Sequence, residues 1–555
     1  MDDSRKFQVL IPVSLLIAVV AALLLLPGLG VVHLFDWDEL NFAESAREMV
    51  LTGDFSTVQV NFEPFWEKPP LFIWMQALSM ELFGVNEFAA RLPNAVCGMV
   101  TLSVLFGVGL RLKGMRFGML WMVLYASSFL PFFYFRSGII DPWFNLFMFL
   151  SLVYMIESVD PEHAGKRWWG MLVSGLFLGL AVLTKGPVAG LIVGLTFVGY
   201  LVVSRFAVSL GLLEGLVFVG AVLGVGGVWF LLLVLSGNGQ IIGEFIAYQL
   251  RLFQTKDASH GGFLLYHVVV LLVGVFPASI FALGTFRRSI LDLEHDRRTT
   301  HFFRWMMVAF WVVLVLFTVV KTKIVHYSSF CYFPLTFLGA WFLEQFFEHH
   351  VVLHRWQKVL LMVFAGLYAL LLGVLTYFDR LKGALLPYVT DEYTRASLQA
   401  TSSWTGFEPL IGLVLLVMTI AFCVRIVHHP LPGTLGLLVV GCLVYAVLTP
   451  LVAVPQIERY SQLAALEFYK ERKGEDCYIY PTTKSYAHYF YSYRLPQNNV
   501  ANEAWLMRGK LDKPAYFVLK QYRGGIEEFL VKAPDARKLY EKDGYVFYVR
   551  DAAIR

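Results

Sequence analysis

Acidic and basic side chains of this 555-residue chain gather in a few short stretches. The first runs Phe35-Asp36-Trp37-Asp38-Glu39-Leu40-Asn41-Phe42-Ala43-Glu44-Ser45-Ala46-Arg47-Glu48-Met49, continues to Gly53-Asp54 and closes on Trp66-Glu67-Lys68-Pro69-Pro70-Leu71. Four more follow: Asp141-Pro142, Leu183-Thr184-Lys185-Gly186, Arg251 with His260, and Lys321-Thr322-Lys323. A carboxylate can take a proton from a nucleophile, and cations can stabilise an anion as it leaves. The two kinds together suit acid–base chemistry on an anionic substrate.

Lys68 stands between Glu67 and two prolines, a stiff stretch that aims its ammonium at a phosphate with little entropic loss. Arg251, Lys321 and Lys323 are further cationic donors, the arginine offering the bidentate fork that phosphate oxygens favour. The alternative for each is a side chain snorkelling to lipid headgroups. Asp141 opens an apolar run just after Arg136, and a charge at a hydrocarbon boundary calls for a partner or a function. Lys185, followed by Gly186 and Pro187, reads either as a phosphate ligand or as the cation of a tight turn. Asp36 and Glu39 read as helix caps or solvated charges as readily as catalytic groups. Glu67 and His260 form a candidate ligand pair for a divalent metal ion, although a pair alone leaves the metal open. His326 and Tyr327 read as interfacial packing, and Cys97, Cys331, Cys423, Cys442 and Cys477, without CxxC spacing, as buried small hydrophobes.

An apolar scaffold must hold these groups. Hydrophobic residues make up 57% of the chain and charged residues 15%, with mean hydropathy +0.63, more than a water-soluble core could hide. The bilayer is therefore part of the solvent. Stretches of about 17 to 25 apolar residues, each able to cross a ~30 Å hydrocarbon layer, predict about thirteen spans. They lie near residues 9–31, 95–111, 117–134, 140–156, 170–184, 187–203, 208–235, 264–284, 305–320, 329–345, 358–377, 408–427 and 434–453. With the N-terminus inside, the basic loops holding Arg111, Arg116, Lys166, Arg205, Arg287, Arg298, Arg355 and Arg425 all fall inside. The first loop (32–94), the turns at 135–140, 184–187 and 321–328, the loops 236–263 and 378–407, and the chain beyond about 454 then lie outside, and with them the candidate residues, Asp141 at the outer end of its span.

Within the first loop, apolar spacing predicts interfacial helices over 39–52 and 69–83, Pro69 and Pro70 suiting the first turn of the second. The more polar tail has a helical stretch at 461–472 and strand-like runs at 476–480, 515–520 and 545–550. A transmembrane domain over 1–455 and a soluble α/β outer domain over 456–555 are therefore expected. A net charge of +4 gives no argument for nucleic acid, and the apolar run Val9 to Val32 is too long for a signal peptide and reads as an uncleaved span.

Taken in order, these stretches resemble the lipid A aminoarabinose transferases and the related bacterial protein mannosyltransferases, whose first outer loop carries a DE…A-E-x-x-R-E-M…G-D…E-K-P-P pattern. The resemblance covers roughly residues 30–335. It implies a polytopic α-helical type C glycosyltransferase (GT-C) fold in the bacterial inner membrane. It also implies a polyprenyl-phosphate sugar donor and a lipid (lipid A-like) or protein acceptor on the periplasmic face, with inversion at the anomeric carbon. On this reading Asp38, at the family's acidic position directly after the first span, is the general base. Asp141 and Glu67 join it as catalytic candidates, and Lys68, Arg251, Lys321, Lys323 and Lys185 hold the donor phosphate. The chain has Asn41-Phe42 where the aminoarabinose transferases have Arg-Tyr, so the resemblance points to the family and not to one sugar or acceptor. The competing reading is a lipid or solute transporter or flippase, which would set ionisable residues near the bilayer midplane in two related halves. Here the charges gather at one face and no repeat is visible. A non-catalytic scaffold would leave the clustered acids and bases unexplained.

Overall fold

The computed structural model describes residues 3–160, 167–207, 210–254, 262–286, 296–349, 351–499 and 502–553. The chain is a polytopic α-helical membrane protein. Among the described residues eight helices are long and apolar enough to cross a membrane, or ten if two bent pairs each count as one span, and not thirteen. Breakage, length and, for the 18-residue Tyr332–His349, a polar second half holding Glu344, Gln345 and Glu348 account for the difference. Leu212–Gly226 meets Val228–Leu235 at 45°, Tyr266–Gly274 meets Ala278–Thr285 at 115°, and Met115–Ser127 and Val188–Val203 have only 13 and 16 residues. The first helix, Asp3–Leu25, stops short of the expected 31 because Pro27 and Gly28, the latter at φ +69°, turn the chain out of it.

Close packing sets the bundle. A Cβ on Gly109 would lie 2.6 Å from the Gly118 Cα, so helices Glu87–Lys113 and Met115–Ser127 meet backbone to backbone at a glycine pair. Trp121, Trp305 and Trp341 are fully buried among the neighbouring helices. All five cysteines are free and buried, as their spacing suggested.

The first outer loop folds into a helix Asp38–Thr52, closed by Gly53 at φ +73°, a short hairpin of β1 (Gln59–Val60) and β2 (Glu63–Pro64), and a helix Leu71–Phe83 preceded by Pro70. Asp38–Thr52 is not a helix floating at the interface, because every residue from Glu39 to Met49 is buried. Its apolar side chains Leu40, Phe42, Ala43 and Ala46 share one core with Leu466, Phe468 and Tyr491 from the tail. Its buried charged side chains have partners: Arg47 donates to both Glu44 oxygens at 2.7 and 2.6 Å, leaving its Nη1 without a hydrogen-bond partner among the described residues, and Glu48 accepts from the backbone N–H groups of Asn61 and Phe62 at 2.6 and 2.8 Å.

The tail carries a four-stranded sheet in the order β3-β4-β6-β5, made of β3 (Tyr478–Pro481), β4 (Ala515–Lys520), β5 (Arg537–Lys542) and β6 (Tyr545–Arg550). β3 runs parallel to β4, and the other pairs are antiparallel. β4 and β6 fall where their apolar runs predicted. β5, Arg-Lys-Leu-Tyr-Glu-Lys, was not predicted because it is an exposed edge strand whose charges blunt further pairing. Helix Pro432–Arg459 runs past the expected domain boundary at 455, so the chain enters the tail as continuous helix.

Candidate active site

Glu39 fixes where the first-loop helix begins. Arg91, in helix Glu87–Lys113, donates to Glu39 Oε1 and Oε2, both at 2.9 Å, and to the carbonyls of Leu29, Val32 and His33 at 3.1, 2.6 and 2.8 Å. Glu39 also accepts from the Gly138 and Phe35 N–H groups at 2.5 and 3.1 Å. Burial alone would raise the Glu39 carboxyl, but Arg91 and these N–H groups outweigh it and hold the group below the ordinary carboxylate value. Glu39 is therefore neither a cap nor a solvated charge. It ties the turn after the first helix to the segment preceding Asp141.

The adjacent Asp38 is left partly open, its side chain 39% exposed, on a cavity of about 560 Å³. Of the residues singled out by sequence, Asp38, Glu67, Lys68, Asp141 and Lys185 line this cavity together. Asp141, at the N-terminal end of helix Asp141–Val159, takes the Lys185 ammonium on Oδ1 at 2.6 Å, with Ser329 Oγ at 3.5 Å. Asp141 Oδ2 is buried with no hydrogen-bond partner among the described residues. Arg136, the partner sequence suggested for Asp141, instead donates to the Pro27 carbonyl at 2.7 Å. Lys185 ends helix Arg167–Lys185, where Gly186 at φ +100° turns the chain, so it is both a turn cation and a cavity cation.

On the other wall Glu67 Oε2 accepts from the Tyr248 hydroxyl at 3.1 Å, and the Lys68 ammonium lies 5.5 Å from the Tyr248 ring centre. Burial pulls the Lys68 ammonium below the ordinary lysine range against the opposing pull of Glu67 and Asp38. His326 Nε2 stands 3.7 Å from Asp38 Oδ2, and burial lowers its imidazole below its ordinary value, which favours the neutral ring at pH 7. The centre thus combines the partly open carboxylates of Asp38 and Glu67, a neighbouring imidazole, two lysines and a buried aspartate, with Asp36 exposed in the same lining.

The remaining candidates lie apart from the cavity wall. Lys323 directs its ammonium to the carbonyls of Phe317, Thr318 and Val320 at 2.8, 2.6 and 2.7 Å, closing the C-terminal end of helix Arg297–Val319. Lys321 is exposed, and only Thr322 of that triplet reaches the cavity. Arg251, near the end of helix Gln240–Gln254, is exposed with its guanidinium 5.2 Å from the Tyr248 ring centre. His260 lies outside the described residues. No group of three or more His, Cys, Asp or Glu side chains among the described residues could hold a metal ion.

Sequence reasoning missed His326, Tyr248, Lys484 and Tyr486, all of which line the cavity. His326 was read as packing although it follows Lys323 by three residues. Tyr248 lies one turn before Arg251 on an amphipathic helix whose periodicity within the outer loop 236–263 was the available signal. Lys484 and Tyr486 come from the tail, more than 430 residues from Asp38, and carry no local signal.

Comparison with known proteins places this geometry. The family model for dolichyl-phosphate-mannose-protein mannosyltransferase matches residues 67–229. The undecaprenyl phosphate-alpha-4-amino-4-deoxy-L-arabinose arabinosyl transferase of Photorhabdus laumondii is 23% identical over 306 residues, covering 55% of this chain and 54% of that protein. Its namesake in Shewanella sediminis is 26% identical over 396 residues, covering 71% and 69%. The chain thus spans about half the length of the first of these relatives. The crystal structure of ArnT from Cupriavidus metallidurans bound to undecaprenyl phosphate superposes with TM-score 0.75 at 19% identity, covering 96% of this chain and 97% of that one. The chain has an ArnT-like fold. This ArnT-like fold extends over the tail as well as the bundle, so the resemblance drawn from the first loop holds at the level of architecture beyond residue 335.

Proposed function

We propose that the chain is an integral membrane enzyme that moves a sugar from a polyprenyl-phosphate donor, undecaprenyl phosphate in a bacterium, to a lipid (lipid A-like) or protein acceptor on the periplasmic face of the inner membrane. The observation that carries this reading is one cavity in which the open carboxylate of Asp38 faces the cations Lys68 and Lys185. The names of the relatives, arabinosyl transferases that use an undecaprenyl phosphate sugar and mannosyltransferases that use a dolichyl phosphate sugar, support the donor class.

In this mechanism Lys68 and Lys185 bind the donor phosphate. Asp38 takes the proton of the acceptor hydroxyl or phosphate oxygen as that oxygen bonds to the anomeric carbon. The bond from that carbon to the phosphate oxygen breaks, and the carrier phosphate leaves with the electron pair, stabilised by the two ammonium groups. His326 steadies the Asp38 carboxylate, and Asp141 holds Lys185 in place at 2.6 Å. Glu67 is positioned by Tyr248, and Arg251, beside the same ring, meets the donor from the outer rim. Lys323 contributes by holding the turn that carries Thr322 and His326, and Lys321 by contacting lipid or carrier phosphate at the surface. A divalent ion on Glu67 with His260 belongs to the same proposal and would show as chelator-sensitive transfer. No step above requires it.

The topology belongs to this reading too. Met115–Ser127 with Phe129–Tyr134, Val188–Val203 and Tyr332–His349 would add three crossings to the ten, restoring thirteen, with a transmembrane domain over 1–455 and a periplasmic α/β domain over 456–555. The test is transfer of sugar from a polyprenyl-phosphate sugar in proteoliposomes. Mass spectrometry of envelope lipids and proteins from cells with and without the chain would name sugar and acceptor together. Absence of any transfer, with solute or lipid transport in its place, would favour the transporter.

A further inference from the structure

The tail does more than cover the first loop. Its segment Lys484-Ser485-Tyr486 reaches the cavity mouth, where Lys484 and Tyr486 join Asp36, Trp37 and Asp38 in the lining. Both oxygens of Asp36 are used to hold it there. Ser485 Oγ donates to Oδ2, and the Tyr486 N–H donates to Oδ1 at 3.1 Å. Trp37 and Tyr486 pack edge to face with ring centres 5.5 Å apart, and the Lys484 ammonium sits 4.6 Å over the Trp37 ring. This ammonium has no carboxylate partner among the described residues and is exposed. Lys68, Asp141, Lys185 and His326, which line the same cavity, are buried or half-buried, whereas Lys484 is exposed.

An exposed cation held over Trp37 in the cavity lining meets whatever approaches Asp38 from solvent. An anionic acceptor would otherwise face the carboxylates of Asp36 and Asp38, and one ammonium there offsets them. We propose that Lys484, latched to the first loop through Asp36, binds a phosphate group on the incoming acceptor and so sets which acceptors can reach Asp38. This rests on the transferase reading and deepens it by assigning the acceptor's phosphate a recognition residue.

The test measures binding of glucose 1-phosphate and of glucose to the full chain in detergent, with undecaprenyl phosphate saturating the deep site, and binding of undecaprenyl phosphate in the same preparations. The expected result is preference for the sugar phosphate over the sugar, a loss of about tenfold or more in Lys484→Ala, and near-normal binding in Lys484→Arg, the range for losing a hydrogen bond to a charged group. Asp36→Asn, which keeps the ammonium but weakens the latch, should lose affinity less. Undecaprenyl phosphate binding should be unchanged in all three. Equal binding of the two sugars, or sugar-phosphate binding indifferent to Lys484→Ala, overturns the proposal. So does an equal loss of undecaprenyl phosphate binding, which would make Lys484 a donor ligand. If the wild-type chain binds no undecaprenyl phosphate, the donor reading fails, and the Lys484→Ala comparison with glucose 1-phosphate still decides the mouth site.

Discussion

Neighbouring carboxylates Asp38 and Glu39 should fail in opposite ways, and Glu39→Gln is the stringent half of that contrast. Glu39 is 6% exposed and its ion-pair partner Arg91 4%, so solvent screens the pair little. Arg91 gives two of its donors to Glu39 and the rest to three carbonyls, none of which can balance its charge. The amide of glutamine keeps one acceptor toward Arg91 and sets a donor where the second oxygen stood. Removing one charge of a buried pair costs about 3–5 kcal/mol, a large share of the 5–15 kcal/mol that ordinarily holds a fold. The expected outcome is a marked fall in thermal stability, read as monodisperse protein surviving heating in detergent. The pH dependence has a definite sign. The Glu39 carboxyl lies below its ordinary value when folded, so its contribution is present above that ordinary value and is lost as pH falls through the folded one. The gap between wild type and Glu39→Gln should therefore shrink in acid. A Glu39→Gln protein as stable as wild type at neutral pH would refute the view that this pair anchors the loop.

Further outcomes follow from the same geometry. Burial lowers the Lys68 ammonium, so its charge is lost as pH rises through a value below the ordinary lysine range; undecaprenyl phosphate binding should weaken on the alkaline side, Lys68→Ala should lose about tenfold or more in affinity, and Lys68→Arg should flatten the profile. Asp141→Asn and Lys185→Met should each reduce transfer, and the double variant should lose clearly less than the product of the two, by the 0.5–3 kcal/mol usual for side chains in contact. Burial and the neighbouring Glu44 raise the Glu48 carboxyl to about 9, so the folded chain binds a proton there that the unfolded chain releases, and stability falls between the ordinary glutamate value and about 9. Glu48→Gln should remove that slope in melting temperature against pH; an unchanged slope would place the titration elsewhere.

What could be read from the sequence was whatever period or local chemistry encodes. Helices at 38–52 and 71–83 and strands β4 and β6 follow their apolar spacing, and the Asp38, Lys68, Asp141 and Lys185 stretches do meet in one cavity. The losses have physical causes. Hydropathy counts apolar length and cannot see the 115° break after Gly274 or distinguish a 13-residue helix from a full crossing. Glu39 read as a helix cap or solvated charge as readily as a catalytic group, because the partner that buries it, Arg91, is 52 residues away. Lys323 read as a free cation, although the end of the helix before it supplies three carbonyls to occupy it. β5 pairs only with the adjacent β6 across the Asp543-Gly544 turn and is too charged to show as an apolar run, whereas the mouth segment at 484–486 is held by Asp36, some 450 residues away, which leaves no mark on its own residues.

The central claim is that Asp38 takes the acceptor's proton, and the most direct measurement is sugar transfer by Asp38→Asn in proteoliposomes, with undecaprenyl phosphate binding measured on the same samples. Asp38 is partly exposed and His326 Nε2 stands 3.7 Å from its carboxylate, so the nearly isosteric amide should leave fold and carrier binding intact. Turnover should fall about 100-fold or more, the range for losing a positioned proton acceptor. Near-normal transfer by Asp38→Asn, with carrier binding intact, would contradict the account.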